Sequence, residues 1–112
     1  MAWKINFVSD RLEDEYFLYV DKLEAKIKAA IYRDLVRFEE NTLQCKSIKH
    51  IEDGIFEIRT SSVNHEFRTL FFYAPSYTII ISHGFIKKTQ KTPRFELKRA
   101  LQNMVTFKTQ KD

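Results

Sequence analysis

The chain's 112 residues suffice for one compact domain with a hydrophobic core and are too few for two ordinary domains. Apolar residues make up 44 % of the sequence, and glycine and proline number two each, so the composition excludes an extensively disordered chain. No apolar run approaches the ~20 residues that span a bilayer, the first ten residues do not resemble a secretory signal, and the lone Cys45 excludes an intrachain disulfide. We therefore expect a single cytoplasmic domain over residues 1–112, without a membrane partner.

The net charge of +4 is unevenly distributed along the chain. Residues 85–112 contain eight Lys and Arg against two Asp and Glu, whereas the first 84 residues contain eleven against thirteen. A terminal segment with a charge of +6 is typical of a surface that binds a polyanion, and a solvated helix face gives the same pattern. Charge alone slightly favours the solvated face.

A strand and then a helix are predicted at the start of the chain. Trp3, Ile5 and Phe7 alternate with polar residues, which is the period of a half-buried strand. Asp10, with Glu13 three residues later, has the form of a capping box, and the helix dipole favours acids in a first turn. We therefore expect a helix to begin at Asp10.

A second, longer helix is predicted to run to about residue 40. Charged residues separate an apolar stripe at helical spacing, formed by Leu23, Ile27, Ala30, Ile31, Leu35 and Phe38. The pattern leaves open whether residues 20–23 separate the two helices or only bend one long helix. The stripe indicates that this helical hairpin is buried against a core and is structural.

Four strands are predicted after the hairpin, because the sequence becomes rich in β-branched and aromatic residues. They cover residues 46–51, 54–63, 66–74 and 77–85. The separators between them are short, and a parallel crossover needs a dozen or more residues, so neighbouring strands are expected to be antiparallel. The sequence therefore predicts a mainly antiparallel sheet built as a meander.

A C-terminal helix completes the predicted α+β fold. Thr92 has the side chain of a helix cap, Pro93 suits the first helical position, and Glu96 lies in the first turn. An apolar stripe then indicates packing against the sheet, through Leu97, Ala100, Leu101 and Met104.

Several kinds of site lack their sequence signature here. One cysteine and three separated histidines, His50, His65 and His83, do not give the spacing of a zinc site, and no cluster of carboxylates suits magnesium. The sequence has no glycine-rich phosphate loop and no dinucleotide fingerprint. We therefore expect neither a metal nor a cofactor.

Two arginines are predicted to lie on consecutive strands, where they can meet across a hairpin. Arg59 projects with Glu57 from one face of its strand, and Arg68 shares a face with other residues of the next strand. Like charges that meet on a sheet repel each other unless an anion lies between them. A phosphate satisfies this requirement, and so does Glu57 or Glu66, so the residues alone leave both interpretations open.

Lys87 and Lys88 follow the last apolar strand and precede the C-terminal helix. Side chains and backbone donors can converge on an anion where a strand end is followed by a turn and a helix start. The pair suits a phosphate grip together with the two arginines, and a solubilising turn is the more common use of such a pair.

Three segments together carry a family resemblance: "DGIFEIRT", "FRTLFFY" and "SHGFIKKTQKTPRFELKRA". They resemble the HigB-type branch of the RelE superfamily of toxins from type II toxin–antitoxin systems, including its phage-derived members. The resemblance implies a RelE-like fold with a curved sheet and a ribosome-dependent endoribonuclease that cuts mRNA without a metal. It also implies two kinds of partner, the ribosome with its mRNA and a helix-turn-helix antitoxin of the HigA type.

The resemblance also assigns roles to residues of this chain. It implies that Arg59, Arg68 and Lys87 stabilise the transition state, and it leaves His83 and Tyr73 as candidates for proton transfer. The remaining basic residues are expected to bind RNA or the ribosome, namely Lys46, Lys49, Lys88, Lys91 and Arg94. A non-catalytic basic module that binds nucleic acid or protein on the same fold is the alternative, because fold alone does not determine function.

Overall fold

The computed structural model describes residues 3–40, 47–88 and 91–110. Cys45 and Lys46, one of the predicted RNA-binding residues, lie outside the described residues. The elements in chain order are β1 Lys4–Phe7, α1 Asp10–Asp21, α2 Ala25–Glu40, β2 Ile48–Glu52, β3 Ile55–Ser61, β4 Glu66–Ala74, β5 Thr78–Ile86 and α3 Arg94–Gln110.

The first two helices are separate, and the cap of α1 differs from the prediction. Ser9 is the N-cap: its backbone is extended and its side-chain oxygen accepts a hydrogen bond from the Leu12 amide at 3.2 Å. Asp10 was predicted to cap this helix, but it lies inside the first turn with Glu13. The cap falls on Ser9 because only a residue with extended backbone can direct its side chain at the free amides of the first turn.

The sheet is mixed and has the order β1-β5-β4-β3-β2. The three pairs among β2, β3, β4 and β5 are antiparallel, as the meander prediction requires, whereas β1 pairs with β5 in parallel. The turn from β2 to β3 consists of Asp53 and Gly54, both with positive φ, which matches the twist of a two-residue hairpin. The predicted α+β class and mainly antiparallel sheet are confirmed, and the parallel pair was not predicted.

Each face of the sheet carries its own hydrophobic core. The helical hairpin covers one face, where the largest buried side chains are Phe38, Phe67 and Phe71. Helix α3 covers the other face through Leu97 and Ala100, as its apolar stripe predicts. No helix within the described residues has the length and apolar character needed to cross a membrane.

A bulge in β5 decides which face the following residues occupy. Leu70 of β4 lies opposite His83 and Phe71 lies opposite Ile81, so Ser82 is an extra residue on β5. An extra residue reverses the alternation of side chains beyond it. Gly84 consequently faces the helical hairpin, where a Cβ atom would lie 2.5 Å from the Phe67 ring. The same reversal directs Lys87 to the face covered by α3.

Candidate functional site

The three predicted catalytic cations lie together on the α3 face of the sheet. Arg59 of β3 lies directly opposite Arg68 of β4. The backbone amide of Lys87 donates to the Glu66 carbonyl at 2.8 Å, which continues the pairing of β5 with β4 and places Lys87 beside Arg68. The hairpin geometry and the bulge at Ser82 together bring these side chains to one place.

Glu57 is the common partner of the two arginines. Its carboxylate is 1 % exposed; Oε1 accepts from Arg59 Nε at 2.8 Å, and Oε2 lies 3.6 Å from Arg68 Nε. The other end of Arg68 lies 3.5 Å from Glu66. Of the two acids that the sequence offered, Glu57 lies between the arginines, whereas Glu66 contacts Arg68. A buried carboxylate offsets the repulsion between two neighbouring guanidinium groups.

The two arginines differ in their access to solvent. The Arg59 side chain is 39 % exposed, whereas that of Arg68 is 4 % exposed between its two acidic partners. Lys87 is half-buried, and burial, with Arg68 as the next cause, lowers its pKa. Arg59 and Lys87 therefore present donors to an incoming anion. Arg68 lies beneath them and contacts the carboxylates of Glu57 and Glu66.

Arg59 and Lys87, together with Glu57, form one wall of an open groove of about 350 Å³, and Arg68 does not line it. Three predicted RNA-binding residues also line it, namely Lys49, Lys91 and Arg94. Arg94 is paired with Glu52 at the rim. Lys88 is exposed next to the groove and does not line it. The groove is therefore rich in cations, with His50 and the carboxylates of Glu52 and Glu57 among them, and it is bordered by the edge strand β2, the end of β5 and the start of α3.

His83, a candidate for proton transfer, lies outside this groove. It is buried, its Nδ1 lies 2.8 Å from Ser82 Oγ, and its Nε2 lies 2.9 Å from Glu96 Oε1. Burial, helped by Arg99, lowers its pKa to about 3, so the ring is neutral near pH 7. The neutral tautomer that satisfies both contacts accepts from Ser82 and donates to Glu96. His83 thereby ties β5 to α3.

The buried neutral state of His83 predicts that acid weakens the fold. The pKa of an unfolded histidine is about 6.5, so between about pH 6.5 and pH 3 the unfolded chain binds a proton that the folded chain does not. Stability should therefore fall with pH by up to about 1.4 kcal/mol per unit through this window. Urea unfolding between about pH 7 and pH 5 measures the slope.

His83→Gln should flatten that slope, and replacement of the exposed His50 by glutamine serves as the control. Both variants retain Glu96, whose pKa burial raises, so the difference between their slopes isolates His83. Equal slopes for the two variants would contradict the prediction.

Tyr73, the other candidate for proton transfer, lies on the opposite face of the sheet. Tyr73 and Arg68 are five residues apart on β4, so they point in opposite directions. The Tyr73 ring packs edge-to-face with Trp3 at 5.4 Å and with Phe56 at 4.8 Å. The structure does not bring Tyr73 into the groove.

Thr92 has a role that the sequence did not reveal. It was expected to cap the C-terminal helix, but its hydroxyl donates to Glu57 Oε2 at 3.0 Å, and α3 begins at Arg94. Its partner lies 35 residues away on β3, and no local pattern marks such a contact. Within residues 3–40, 47–88 and 91–110, no three His, Cys, Asp or Glu side chains gather to hold a metal ion.

The chain resembles known proteins in sequence and in fold. Residues 18–105 match the family described as phage-derived protein Gp49-like (DUF891). Over 88 residues, the chain is 33 % identical to the probable endoribonuclease HigB1 of Mycobacterium tuberculosis, in strains CDC 1551 and H37Rv; the match covers 79 % of this chain and 70 % of HigB1. The fold matches the free state of a double arginine-to-alanine mutant of the E. coli toxin RelE, with a TM-score of 0.59, 14 % identity and coverage of 91 % and 97 % of the two chains. The predicted HigB-type resemblance and RelE-like fold are thereby confirmed.

Proposed function

Because the chain belongs to the phage-derived Gp49-like family of HigB- and RelE-type toxins, we propose that it is an endoribonuclease toxin of a toxin–antitoxin pair. The observation that carries the proposal is the groove in which Arg59 and Lys87 meet. Arginine and lysine at the wall of an open groove suit a phosphodiester, because charge-assisted contacts to phosphate are strong.

The groove supports cleavage by the RNA's own 2′-hydroxyl. The 2′-oxygen forms a bond to the neighbouring phosphorus and passes its proton to solvent water, while the bond to the 5′-oxygen breaks and that oxygen gains a proton. Arg59 and Lys87 stabilise the extra negative charge on the phosphate in the transition state. Lys87 is also suited to protonate the leaving oxygen, because its lowered pKa makes it a better proton donor. Arg68 holds Glu57 and Glu66 behind them.

We further propose that the RNA is mRNA on the ribosome and that the inhibitory partner is a helix-turn-helix antitoxin of the HigA type. The outer cations of the groove, Lys49, Lys91 and Arg94, then meet a surface dense in phosphates. Such charges raise association rates and lose their effect as salt concentration rises.

The test is expression of the chain without its antitoxin, followed by single-turnover cleavage of mRNA on programmed ribosomes and free in solution. Growth arrest, ribosome-dependent cleavage and a 3′-phosphate or cyclic phosphate end are expected. Lys26→Glu, on the exposed side of α2, is the control and should retain full toxicity. Normal growth with intact mRNA and abundant folded protein would refute the proposal.

A non-catalytic RNA-binding module is the second candidate. The observation that favours it is that both predicted candidates for proton transfer, His83 and Tyr73, lie outside the groove. RNA binding by a folded protein that never cleaves the bound strand, with or without ribosomes, would establish this alternative.

A further inference from the structure

The buried carboxylate of Glu57 connects three elements of the fold beside the groove. Its Oε1 accepts from Arg59 on the same strand, and its Oε2 accepts from Thr92 in the segment that leads into α3. Arg68 of β4 approaches the same Oε2. One side chain therefore holds β3, β4 and the start of α3 in register at the place where the phosphate is proposed to bind.

The contact with Glu57 orients the guanidinium of Arg59 and leaves its terminal amino groups available to a ligand. The contact uses Nε, and the guanidinium is planar, so a fixed Nε–H direction fixes the plane of the group. The Arg59 side chain remains 39 % exposed in the groove. Its terminal amino groups are consequently aimed in a defined direction before any ligand arrives, which is the preorganisation that catalytic electrostatics require.

Thr92 in turn restrains the carboxylate. A carboxylate held at one oxygen can rotate about its Cγ–Cδ bond, whereas one held at both oxygens has a fixed plane. The Thr92 hydroxyl supplies the second contact at 3.0 Å. It also anchors the segment carrying Lys91 and Arg94, both of which line the groove.

We propose that Glu57, restrained by Thr92, is a positioning residue that orients Arg59 toward the phosphate of bound RNA. The identity of the ligand as RNA rests on the proposed function. The orientation of Arg59 by Glu57 does not depend on it. A carboxylate that served only as counter-ion to the buried Arg68 would stabilise the fold without affecting the direction of Arg59.

The chain offers a matched pair of variants for the test. Thr92→Val removes the hydroxyl that binds Glu57 on the groove side of β3. Thr60→Val removes a hydroxyl that donates to the buried Asp34 at 2.8 Å on the opposite side of the same strand. Both variants lose one hydroxyl–carboxylate hydrogen bond, so thermal melts record the structural effect that they share.

The first measurement is single-turnover cleavage on programmed ribosomes as ribosome concentration is varied. Thr92→Val should lower the plateau rate by about a hundred-fold, because a small misplacement of a catalytic group has an effect of that size. The half-saturating ribosome concentration should remain unchanged. Thr60→Val should match the wild type in both. Equal plateau rates for the two variants would overturn the proposal.

A second variant separates positioning from charge. Glu57→Gln removes a negative charge from a basic groove, so it should bind a 2′-O-methyl RNA strand more tightly by fluorescence anisotropy. If Glu57 positions Arg59, the same variant should also cleave more slowly at saturation. Tighter binding with an unchanged plateau rate would leave Glu57 as a counter-ion only and would overturn the proposal.

A third measurement does not depend on cleavage. The ¹⁵N–¹H signal of Arg59 Nε reports its hydrogen bond to Glu57 directly. It should shift and exchange faster with water in Thr92→Val, and remain as in the wild type in Thr60→Val. If the wild type cleaves no RNA at all, the proposed function fails, and this signal still decides the positioning role: an unchanged Arg59 signal in Thr92→Val would refute it.

Discussion

Replacing Lys87 by alanine is expected to lower the rate of RNA cleavage by about a hundred- to a thousand-fold while the protein stays folded. The Lys87 side chain lines the groove near Arg68, and the proposed contact with the phosphate would strengthen as charge develops in the transition state. The variant should therefore lower the rate at saturation and should change the affinity for RNA only weakly. Single-turnover cleavage on programmed ribosomes measures it, with circular dichroism to verify the fold.

Lys88 provides the internal control for that experiment. It is the next residue in the chain and has the same charge, but it is exposed and does not line the groove. Each of the single variants Lys88→Ala, Lys91→Ala and Arg94→Ala should weaken toxicity modestly. In the cleavage assay, added salt should reduce the difference in rate between each variant and the wild type. Equal activity of stable Lys87→Ala and Lys88→Ala variants would mean that the double lysine is only a solvated turn.

Replacing Arg68 by alanine is expected to lower the free energy of unfolding by about 3 to 5 kcal/mol. Arg68 is buried between Glu57 and Glu66, and its removal leaves the buried Glu57 without one of its cationic partners. Breaking a buried ion pair is far more costly than breaking an exposed one because the remaining charge is shielded from water. Urea unfolding near pH 7 measures the loss.

An exposed ion pair within the same chain calibrates that result. Arg11 contacts Glu15 at 2.7 Å on the surface of α1, and Arg11→Ala should lower stability by less than about 1 kcal/mol. Similar losses for the Arg68 and Arg11 variants would show that burial of Arg68 adds nothing. If the expected difference is found, lost toxicity in Arg68→Ala bears on phosphate contact only where circular dichroism shows that the variant is folded at the assay temperature.

The strands that sequence analysis placed well are those whose determinants are local. β4 was predicted at its observed bounds, 66–74, because five of its nine residues are aromatic or β-branched. The parallel pairing of β1 with β5 joins Lys4 to Thr78, and a four-residue strand carries no signal about so distant a partner. The antiparallel part of the sheet was predictable because its separators are short.

The same distinction applies to the groove. The juxtaposition of Arg59 with Arg68 follows from two adjacent strands and a short connection, so it was predictable. The burial of Arg68 depends on how α3 and its preceding segment cover the sheet, and the Thr92–Glu57 contact depends on the same packing. Tertiary packing of this kind has no periodicity in the sequence, so neither feature was predictable.

The bulge at Ser82 gives the double lysine an unexpected significance for comparing relatives. With Ser82 bulged out of the pairing, Lys87 faces the groove; if the same residues paired without the bulge, regular alternation would place Lys88 there instead. Two adjacent lysines therefore supply a cation in either register. Equivalent lysines in relatives are best assigned after the bulge in β5 has been located, because identity at one position does not guarantee a common orientation.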